Sequence, residues 1–406
     1  MKILFITDNF PPERNAPAKR TFEHTKQWAK TGHDVTIITG APNFPKGKVF
    51  NGYRNKIYQS EIKDRILIKR VWTFIAPNKG FALRIIDYIS FMISSIVCGL
   101  FTKKHDIVIA TSPQFFSAIS GYFISIFKRS AFILEIRDLW PESIVTVGAM
   151  KKTNFIVKIL YKIALFLYKK AKVIVCVTES FREDLIDKGV DPNKIIVIKN
   201  GFDINNISKP TKSVSMIESE YGLNKDSFIV SFIGTIGMAH GLNVILESAK
   251  NTKNDVVFLI IGDGAEKESL ANKVKNQKIR NIKFISSISW QEIINLNQII
   301  SVNLVHLIKN PLFKKVIPSK IFESMGLKKP IIMGVLGESH DIILKAKCGI
   351  SMVPEDAKSL NDSIQKFINN PELIEEMGMN GYKFVINNYN RVHLSNEMIE
   401  FISIKS

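Results

Sequence analysis

Short, continuously apolar runs rich in Ile and Val recur along the chain and alternate with longer helical patterns. The first half has such runs at residues 2–7, 35–39, 66–71, 107–111, 132–136, 173–177 and 195–198. The second half has them at residues 228–233, 256–261, 282–285, 302–305 and 331–335. Because unbroken hydrophobicity is typical of strands buried on both faces, the runs predict parallel sheets covered by helices. The expected fold class is α/β, with two doubly wound Rossmann-like domains facing a central cleft.

A polar stretch at residues 203–227 separates the two sets of runs. It predicts a first domain at 1–203 and a second at 204–385. Residues 386–406 are expected to form a C-terminal helix that packs back on the first domain. With 406 residues, the chain is long enough to build two separate cores.

The positive charge is concentrated in the first half of the chain. Residues 1–200 carry 32 basic and 16 acidic side chains, whereas residues 201–406 carry 24 and 21. A basic half beside a nearly neutral half indicates contact with an anion, unless the charge forms only a solvated face. Nucleic acid, an anionic membrane surface and a phosphorylated substrate are the candidate classes.

The cysteines and the N-terminus restrict the class of protein. Cys98, Cys176 and Cys348 form no C-x-x-C motif and no Cys/His cluster, which excludes a disulfide-built secreted scaffold and argues against structural zinc. The first apolar run ends before Asp8 and is too short for the core of a signal peptide. We therefore expect a cytoplasmic protein.

Two helical segments are candidates for a membrane surface. Residues 85–101 are apolar except for Asp87 and three serines, and they predict a buried helix or one that dips partly into a membrane. A span is not expected, because the flanking strands belong to one sheet. In residues 151–172 the lysines share one side of a helix, with Ile156, Leu160, Ile163 and Leu167 opposite. That side is either solvated or faces anionic lipid, with Lys151, Lys158, Lys162 and Lys169 as the membrane-facing residues.

Loops that follow predicted strands hold the residues typical of a phosphate site. Gly234 and Gly237 follow one strand and allow the backbone to approach a ligand closely, although the loop is neither a P-loop nor a G-x-G-x-x-G motif. Lys320 lies in the first turn of a predicted helix, where a cation is disfavoured unless an anion binds nearby. Glu323, one turn later, is placed to accept hydrogen bonds from vicinal hydroxyls. We expect Gly237 and Lys320 to converge on the phosphates of a nucleotide.

Two further clusters follow strands. The turn at residues 262–264 suits a nucleoside, and the charged segment at 135–138 is better suited to a site than to a core. No Asp-x-Asp pair is present, so a two-carboxylate metal site is not expected.

In combination and order, these motifs resemble the family 4 glycosyltransferases, which have the two-domain GT-B fold. The resemblance extends along nearly the whole chain and is carried by residues 3–13, 32–35, 138–141, 200–203, 234–242, 262–264 and 318–323. The most similar subgroup builds bacterial O-antigens and capsules and includes N-acetyl-L-fucosamine transferases. The resemblance implies a UDP-sugar donor, a polyprenyl-diphosphate-linked saccharide acceptor and retention of anomeric configuration. It also implies that no metal or other cofactor is needed, and that the protein is peripheral on the inner face of the cytoplasmic membrane.

The resemblance assigns residues to two sides of the reaction. The donor-side residues are Gly234, Gly237, His240, Gly241, Gly262, Gly264, Lys320 and Glu323. The acceptor-side residues are Arg14, Arg20, Arg137 and Asp138, and the catalytic candidates are Asp138 and His240. The chain departs from the family pattern at Lys315, where a Glu is common, at Thr235 and His240, where Arg and Lys are common, and at Ser112-Pro113, where a His is common.

Two other functions remain open from the sequence. A UDP-sugar 2-epimerase has the same fold but needs no lipid acceptor, so it leaves the basic half unexplained. A non-enzymatic function in binding nucleic acid or membrane would explain the basic charge of the first half, but it would not explain a cleft between the two domains. We expect no nucleic-acid partner, because the basic residues are not interleaved with exposed aromatics in a recognisable module.

Overall fold

The computed structural model describes residues 1–44, 47–75, 81–112, 115–146, 148, 150–252 and 255–406. The chain forms two compact units, one made of Met1–Asn200 with Arg391–Ser406 and the other of Gly201–Asn390. The unit boundaries thus lie at 200/201 and 390/391, whereas the sequence placed domain boundaries at 203/204 and 385/386.

Within the described residues, the first unit has an eight-stranded sheet of order β3-β4-β2-β1-β5-β6-β7-β8. Its strands are β1 Lys2–Ile6, β2 Asp34–Thr39, β3 Tyr58–Lys63, β4 Ile66–Val71, β5 Ile107–Ser112, β6 Ala131–Ile136, β7 Val173–Cys176 and β8 Ile195–Val197. All neighbouring pairs are parallel except β3 and β4. The direction of the strand order reverses between β1 and β5, so ligands are expected beyond the carboxyl ends of these two strands.

The sequence pattern missed β3, an exposed edge strand. Its residues alternate between half-buried and exposed positions and include Gln59, Glu61 and Lys63. It pairs with β4 through a tight turn in which Asp64 and Arg65 both have positive φ angles, of 49° and 64°. This hairpin geometry matches the right-handed twist of the strands. A search for continuously apolar runs could not find it.

The helices of the first unit are α1 Ala16–Lys30, α2 Phe81–Leu100, α3 Phe115–Lys128, α4 Glu142–Thr146, α5 Phe155–Lys170 and α6 Glu179–Asp187. Ile3 and Ile107 point to the sheet face that packs with Trp28 of α1. On the opposite face, a Cβ atom at Gly121 of α3 would be only 2.5 Å from the Ala110 Cβ. The connections through α2, α3 and α5 run in the same direction across the sheet, so right-handed crossovers place these helices together on that face.

For residues 85–101 we expected either a buried helix or one that dips partly into a membrane, and the exposure of α2 contradicts the first of these alternatives. Only 17% of the residues in Leu83–Leu100 are buried, and the mean hydropathy of this segment is 1.6. Among the described residues it is the one helix long and apolar enough to cross a membrane. In α5, Leu160 and Leu167 are buried as expected, but Ile156 is exposed beside the lysines, and Lys151 precedes the helix.

Within the described residues, the second unit has a six-stranded parallel sheet of order β11-β10-β9-β12-β13-β14. Its strands are β9 Phe228–Ile233, β10 Val256–Ile261, β11 Ile282–Ile285, β12 Val302–His306, β13 Ile331–Gly334 and β14 Gly349–Ser351. Its helices are α7 Val214–Tyr221, α8 Asn243–Lys250, α9 Lys267–Asn276, α10 Trp290–Asn297, α11 Lys320–Gly326, α12 Glu338–Ala346, α13 Ala357–Asn369 and α14 Glu372–Asn388. The strand order reverses between β9 and β12, which marks the expected ligand position of this unit.

Helix α15, Arg391–Lys405, follows the second unit in the sequence but belongs to the first unit. Trp28 of α1 donates a hydrogen bond from Nε1 to the carbonyl of Ser395, at 2.9 Å. Arg391 lies 2.9 Å from the carboxylate of Glu23. Residues 386–388, which the sequence assigned to the C-terminal helix, instead end α14 of the second unit.

Candidate functional site

The loop after β9 and the turn after β10 are packed backbone against backbone. Ile236 donates a hydrogen bond to the Asp263 carbonyl at 3.0 Å. A Cβ atom on Gly262 would lie 1.9 Å from the Gly234 carbonyl oxygen, and one on Gly264 would lie 2.2 Å from the Ile236 oxygen. Gly262 and Gly264 are therefore required because the two loops touch there, a reason that is independent of any ligand.

Gly237 differs from the other glycines of this loop. Gly234 and Gly241 have φ angles of 141° and 56°, which side chains rarely adopt, whereas Gly237 has an extended backbone with φ of −135°. A Cβ atom at Gly237 would meet only Thr235, at 3.9 Å. The fold does not need a glycine at this position, so the bare backbone of Gly237 remains available for close approach by a ligand.

Lys320 places a shielded ammonium group beside this loop. Its Nζ atom lies 3.7 Å from the centre of the Phe232 ring and would be 3.1 Å from a Cβ atom on Gly234. Nζ is closed off from solvent and has no hydrogen-bond partner among the described residues. Burial lowers the pKa of Lys320 to about 7, although Glu323 opposes the shift. A buried cation without an acceptor is a site for an anion. We expected Lys320 to lie beside Gly237, but its ammonium group lies beside Gly234.

A chain of buried polar side chains fixes the start of α11 to the sheet. Ser231 of β9 donates to the Asn303 side-chain oxygen on β12, and the Asn303 amide donates to the Ser324 hydroxyl at 2.9 Å. Ser324 in turn donates to the Lys320 carbonyl at 2.8 Å. These contacts set the position of Lys320 relative to the β9 loop. The sequence analysis missed them, although a polar residue inside an apolar strand was an available signal.

Two histidines tie the β9 loop to the end of β12. His306 Nδ1 lies 2.6 Å from the His240 carbonyl oxygen, and His240 Nδ1 lies 3.2 Å from the His306 carbonyl oxygen. The backbone N–H of Glu355 donates to His306 Nε2 at 2.8 Å, so His306 carries its proton on Nδ1. Burial and the nearby Lys320 lower the pKa of His240 to about 3. His240 is therefore neutral, with its Nε2 lone pair available. The sequence analysis did not single out His306.

Glu323 and Lys320 line the same small cavity, of about 20 Å³. Asn303, Ser324 and Trp290 also line it. A larger cavity of about 310 Å³ lies beyond the ends of β12 and β13 and is lined by Ile308, Lys309, Phe313, Lys314 and Val335, among others. The two cavities share no lining residue, so the larger one is not centred on the predicted donor residues.

In the first unit, Arg20 is part of the core and does not face an acceptor. Its side chain is 1% exposed, and Nε donates to the Glu135 carboxylate at 2.9 Å. Nη1 donates to Asn200 Oδ1, and Nη2 donates to the Ile198 carbonyl. Burial opposes ionisation of Glu135, but Arg20 and Arg137 lower its pKa. Arg20 therefore positions α1 against the end of β8, which corrects the acceptor-binding role expected for it.

Arg137 and Asp138 follow β6 as expected and have polar groups available for a ligand. The Nε and Nη1 atoms of Arg137 are shielded and have no hydrogen-bond partner in the part of the chain that the structure describes. Burial lowers the pKa of Arg137 to about 10, against the opposing effect of Glu135. Burial raises the pKa of Asp138 to about 6, so this carboxyl group exchanges protons near neutral pH. The pair is suited to bind an anion and to move a proton.

The loop after β1 contributes one expected residue and one that was missed. Arg14 is exposed in this loop. Asp8 lies two residues after the end of β1, and burial, together with Asp87 and Glu13, raises its pKa well above the ordinary value. Its position after a buried strand was the same signal that identified Asp138. Of the Ser112-Pro113 pair, Ser112 ends β5 and Pro113 lies outside the described residues.

Comparisons with known proteins match both units. Residues 18–206 match the family model described as Glycosyltransferase Family 4, and residues 215–384 match the one described as Glycosyl transferases group 1. The capsular polysaccharide biosynthesis glycosyltransferase CapM of Staphylococcus aureus is 24% identical over 84% of this chain and 84% of its own. An Escherichia coli UDP-Gal:alpha-D-GlcNAc-diphosphoundecaprenol alpha-1,3-galactosyltransferase is 24% identical over 58% of this chain and 61% of its own.

A solved structure agrees with the fold along the whole length. Anabaena HepE, determined in complex with UDP and glucose, superposes with a TM-score of 0.76 over 99% of each chain at 16% identity. That likeness shows the two-unit Rossmann-like architecture, the GT-B fold. The two family matches together cover most of the chain and both describe glycosyltransferases, so the chain is a glycosyltransferase of the GT-B fold, with a Family 4 match in its first unit and a group 1 match in its second.

Proposed function

We propose that this protein transfers a sugar from a UDP-sugar to a polyprenyl-diphosphate-linked saccharide during assembly of a surface polysaccharide such as an O-antigen, a capsule or lipopolysaccharide. The sugar is an acetamido sugar such as N-acetyl-L-fucosamine, and transfer retains the anomeric configuration without a metal ion. The observation that carries the proposal is the ammonium group of Lys320, which is shielded, lies against the β9 loop and has no hydrogen-bond acceptor within the described residues.

On the donor side, Lys320 binds the diphosphate of the UDP-sugar and stabilises the charge that develops on the leaving UDP. Gly237 allows the loop backbone to approach the same phosphates. Glu323 accepts hydrogen bonds from the ribose hydroxyls, and the turn at 262–264 borders the nucleoside. Support for UDP comes from HepE, which was crystallised with UDP and glucose.

The transfer proceeds on one face of the sugar. A donor phosphate oxygen takes the proton of the acceptor hydroxyl while the bond from the anomeric carbon to UDP breaks. The acceptor oxygen forms its bond to the same face of that carbon, and UDP leaves with the proton. No protein nucleophile is required. His240 belongs to the same loop; it is neutral, and its Nε2 can accept a hydrogen bond from the substrate.

On the acceptor side, Arg137 and the exposed Arg14 bind the diphosphate of the lipid-linked saccharide, and Asp138 orients the hydroxyl that is glycosylated. The relative that acts on a diphosphoundecaprenol-linked sugar supports this acceptor class. The protein works at the inner face of the cytoplasmic membrane, where the α5 lysines meet anionic lipid.

The test is a transfer assay with purified full-length protein, a panel of radiolabelled UDP-sugars and a synthetic polyprenyl-diphosphate-linked N-acetylglucosamine, with EDTA present. We expect labelled, retained product from at least one donor. Glu323→Ala and Lys320→Ala should abolish it, whereas Glu375→Ala and Lys345→Ala, at exposed positions of the same unit, should not.

Three results would contradict the proposal. Unchanged turnover in Glu323→Ala, with the fold intact by circular dichroism, would remove its ribose role. An epimerised product from UDP-sugar alone would favour a 2-epimerase. Activity that depends on an added metal ion would refute the metal-free mechanism.

A further inference from the structure

Helix α2 has its apolar side facing outward. Six apolar residues recur at intervals of three or four along it and are 36% to 54% exposed: Leu83, Ile86, Ile89, Ile93, Val97 and Leu100. In a water-soluble protein the exposed side of such a helix is expected to be polar. A contiguous apolar stripe along a 20-residue helix therefore indicates a non-aqueous neighbour.

Polar groups hold the inward side of α2 against the first unit. The Asp87 carboxylate accepts a hydrogen bond from the Thr73 hydroxyl at 2.5 Å, and the Phe74 N–H donates to the Ser90 hydroxyl at 2.7 Å. The Ser95 hydroxyl donates to that of Ser120 on α3 at 2.9 Å. These bonds fix the rotation of the helix, so the apolar stripe cannot turn inward without breaking them.

Helices α3 and α5 extend this surface. The outer residues of α3 and the residue after α2 are exposed aromatic and aliphatic side chains: Phe101, Phe123, Ile126 and Phe127. The same holds for Phe155, Ile156, Ile159, Leu165 and Phe166 of α5. Tyr122 of α3 and Phe166 of α5 are in edge-to-face contact, with ring centres 5.1 Å apart. We call the exposed apolar residues of these three helices, together with Phe101, the apolar face.

The apolar face is accompanied by positive charge. Residues 115–130 and 151–172 contain nine basic side chains and no acidic one. Lys128 donates to the carbonyls of Leu100 and Thr102, at 2.6 Å each, and so caps the C-terminal end of α2. Apolar side chains bordered by lysines are typical of helices that lie in the interface of an anionic bilayer.

We propose that the apolar face is embedded in the headgroup and acyl boundary of an anionic bilayer, with α2 lying in the plane of the membrane. The charge distribution selects this occupant. A second copy of the chain on the same face would bring together the basic side chains that border the face in each copy, whereas anionic headgroups neutralise them.

The fold prevents α2 from crossing the bilayer. The helix connects β4 to β5, two parallel strands of one sheet, and only residues 101–106 join its end to β5. Six extended residues reach about 20 Å, less than the hydrocarbon core of about 30 Å. The chain could not return to the sheet after a crossing. The inference deepens the proposed location of the enzyme, but it concerns lipid alone and does not depend on sugar transfer.

The test uses full-length protein and vesicles of phosphatidylethanolamine and phosphatidylglycerol without any saccharide. We expect cosedimentation that persists in about 1 M NaCl, where the Debye length is about 3 Å. A fluorophore on Ile93→Cys, in a Cys98→Ser background since Cys176 and Cys348 are buried, should shift to the blue and be quenched by lipids spin-labelled in the acyl chain.

Substitutions separate insertion from charge attraction. Ile89→Asp with Ile93→Asp should weaken partition about tenfold or more, because each places a charge at membrane depth. Leu344→Asp, at an exposed apolar position on α12 of the second unit, should leave partition unchanged. The fluorophore measurement decides the question even where the double variant fails to fold.

Three outcomes would overturn the inference. Complete release by salt with no quenching at residue 93 would show that charge alone holds the protein at the surface. Unchanged partition of a folded double variant would exclude α2 as the inserted helix. A dimer in vesicle-free solution that Ile93→Asp dissolves would show that a second copy covers the face.

Discussion

The ammonium nitrogen of Lys320 lies 3.7 Å from the centre of the Phe232 ring, and none of the residues that the structure describes supplies it with a hydrogen-bond acceptor. An aromatic face attracts a cation, but it does not replace the water that the cation loses on burial. The positive charge of Lys320 in the second unit is therefore not fully compensated until an anion binds. This relationship leads to the first two predictions.

Binding of UDP should be accompanied by proton uptake by Lys320. Burial lowers the pKa of Lys320 to about 7, so a large fraction of it is neutral at about pH 8. A diphosphate beside it raises that pKa and draws a proton from the buffer. Calorimetric titration at about pH 8 in two buffers of different ionisation enthalpy should show net uptake, and Lys320→Met should reduce it. If the wild type and Lys320→Met took up the same number of protons on binding UDP, the proton would be bound by a group other than Lys320.

Removing the charge of Lys320 should stabilise the protein in the absence of ligand, most strongly at low pH. The folded-state pKa of about 7 is below the ordinary 10.5, so between these values the unfolded chain binds more protons and wild-type stability rises with pH. Below about pH 7 the full cost of burying the charge is present. In urea unfolding, the free energy of unfolding of Lys320→Met should therefore exceed that of the wild type by more at about pH 6 than at about pH 9. A gain that does not change with pH would refute the charge effect.

The glycines of the two loops should separate into structural and ligand-contacting positions. In Gly262→Ala and Gly264→Ala the new methyl group collides with backbone carbonyl oxygens, so each should lose about 3 kcal/mol or more of unfolding free energy. Gly237→Ala has space and should change stability by less than about 1 kcal/mol. A loss of UDP affinity in Gly237→Ala at unchanged stability would mark direct ligand contact. Unchanged affinity would remove Gly237 from the donor site.

The buried Arg20–Glu135 pair should be a determinant of stability. Arg20→Ala leaves the Glu135 carboxylate without its partner and should cost about 3–5 kcal/mol in denaturant unfolding. Arg20→Met with Glu135→Gln should cost less, because no buried charge is left uncompensated. The exposed Lys26–Asp64 pair is the control, and Lys26→Ala should change stability by about 1 kcal/mol at most. A similarly small change for Arg20→Ala would place it outside the core network.

The α5 lysines should contribute the salt-sensitive part of membrane binding. Lys158→Glu with Lys162→Glu should weaken binding to anionic vesicles at low salt, by about 1 kcal/mol or more for each lysine. The matched control is Lys345→Glu with Lys358→Glu, at exposed positions of the second unit. Equal binding of both double variants would show that the α5 lysines form only a solvated face.

Different parts of the candidate site were accessible to sequence reasoning to different degrees. Lys320 and Asp138 were identified because each is a charged residue next to the end of a strand or the start of a helix. Arg20 is also a charged residue near the start of a helix, yet its guanidinium group donates its hydrogen bonds to Glu135 and to the backbone carbonyls of Ile198 and Lys199. Whether an arginine is open or fully bonded depends on groups more than a hundred residues away, which local patterns cannot reveal.

The sequence by itself determined the α/β class, the two sheets and nearly every buried strand, because burial on both faces requires unbroken apolar runs that are visible locally. It did not determine which side of an apolar helix faces the protein. In α2, Asp87, Ser90 and Ser95 point inward and Ile86, Ile89 and Ile93 point outward. Thr73, Phe74 and Ser120 supply the hydrogen bonds that hold that rotation. Likewise, only the tertiary structure decided that Lys320 is shielded and finds no acceptor in the described part of the chain, because its surroundings come from β9, β12 and α11 together.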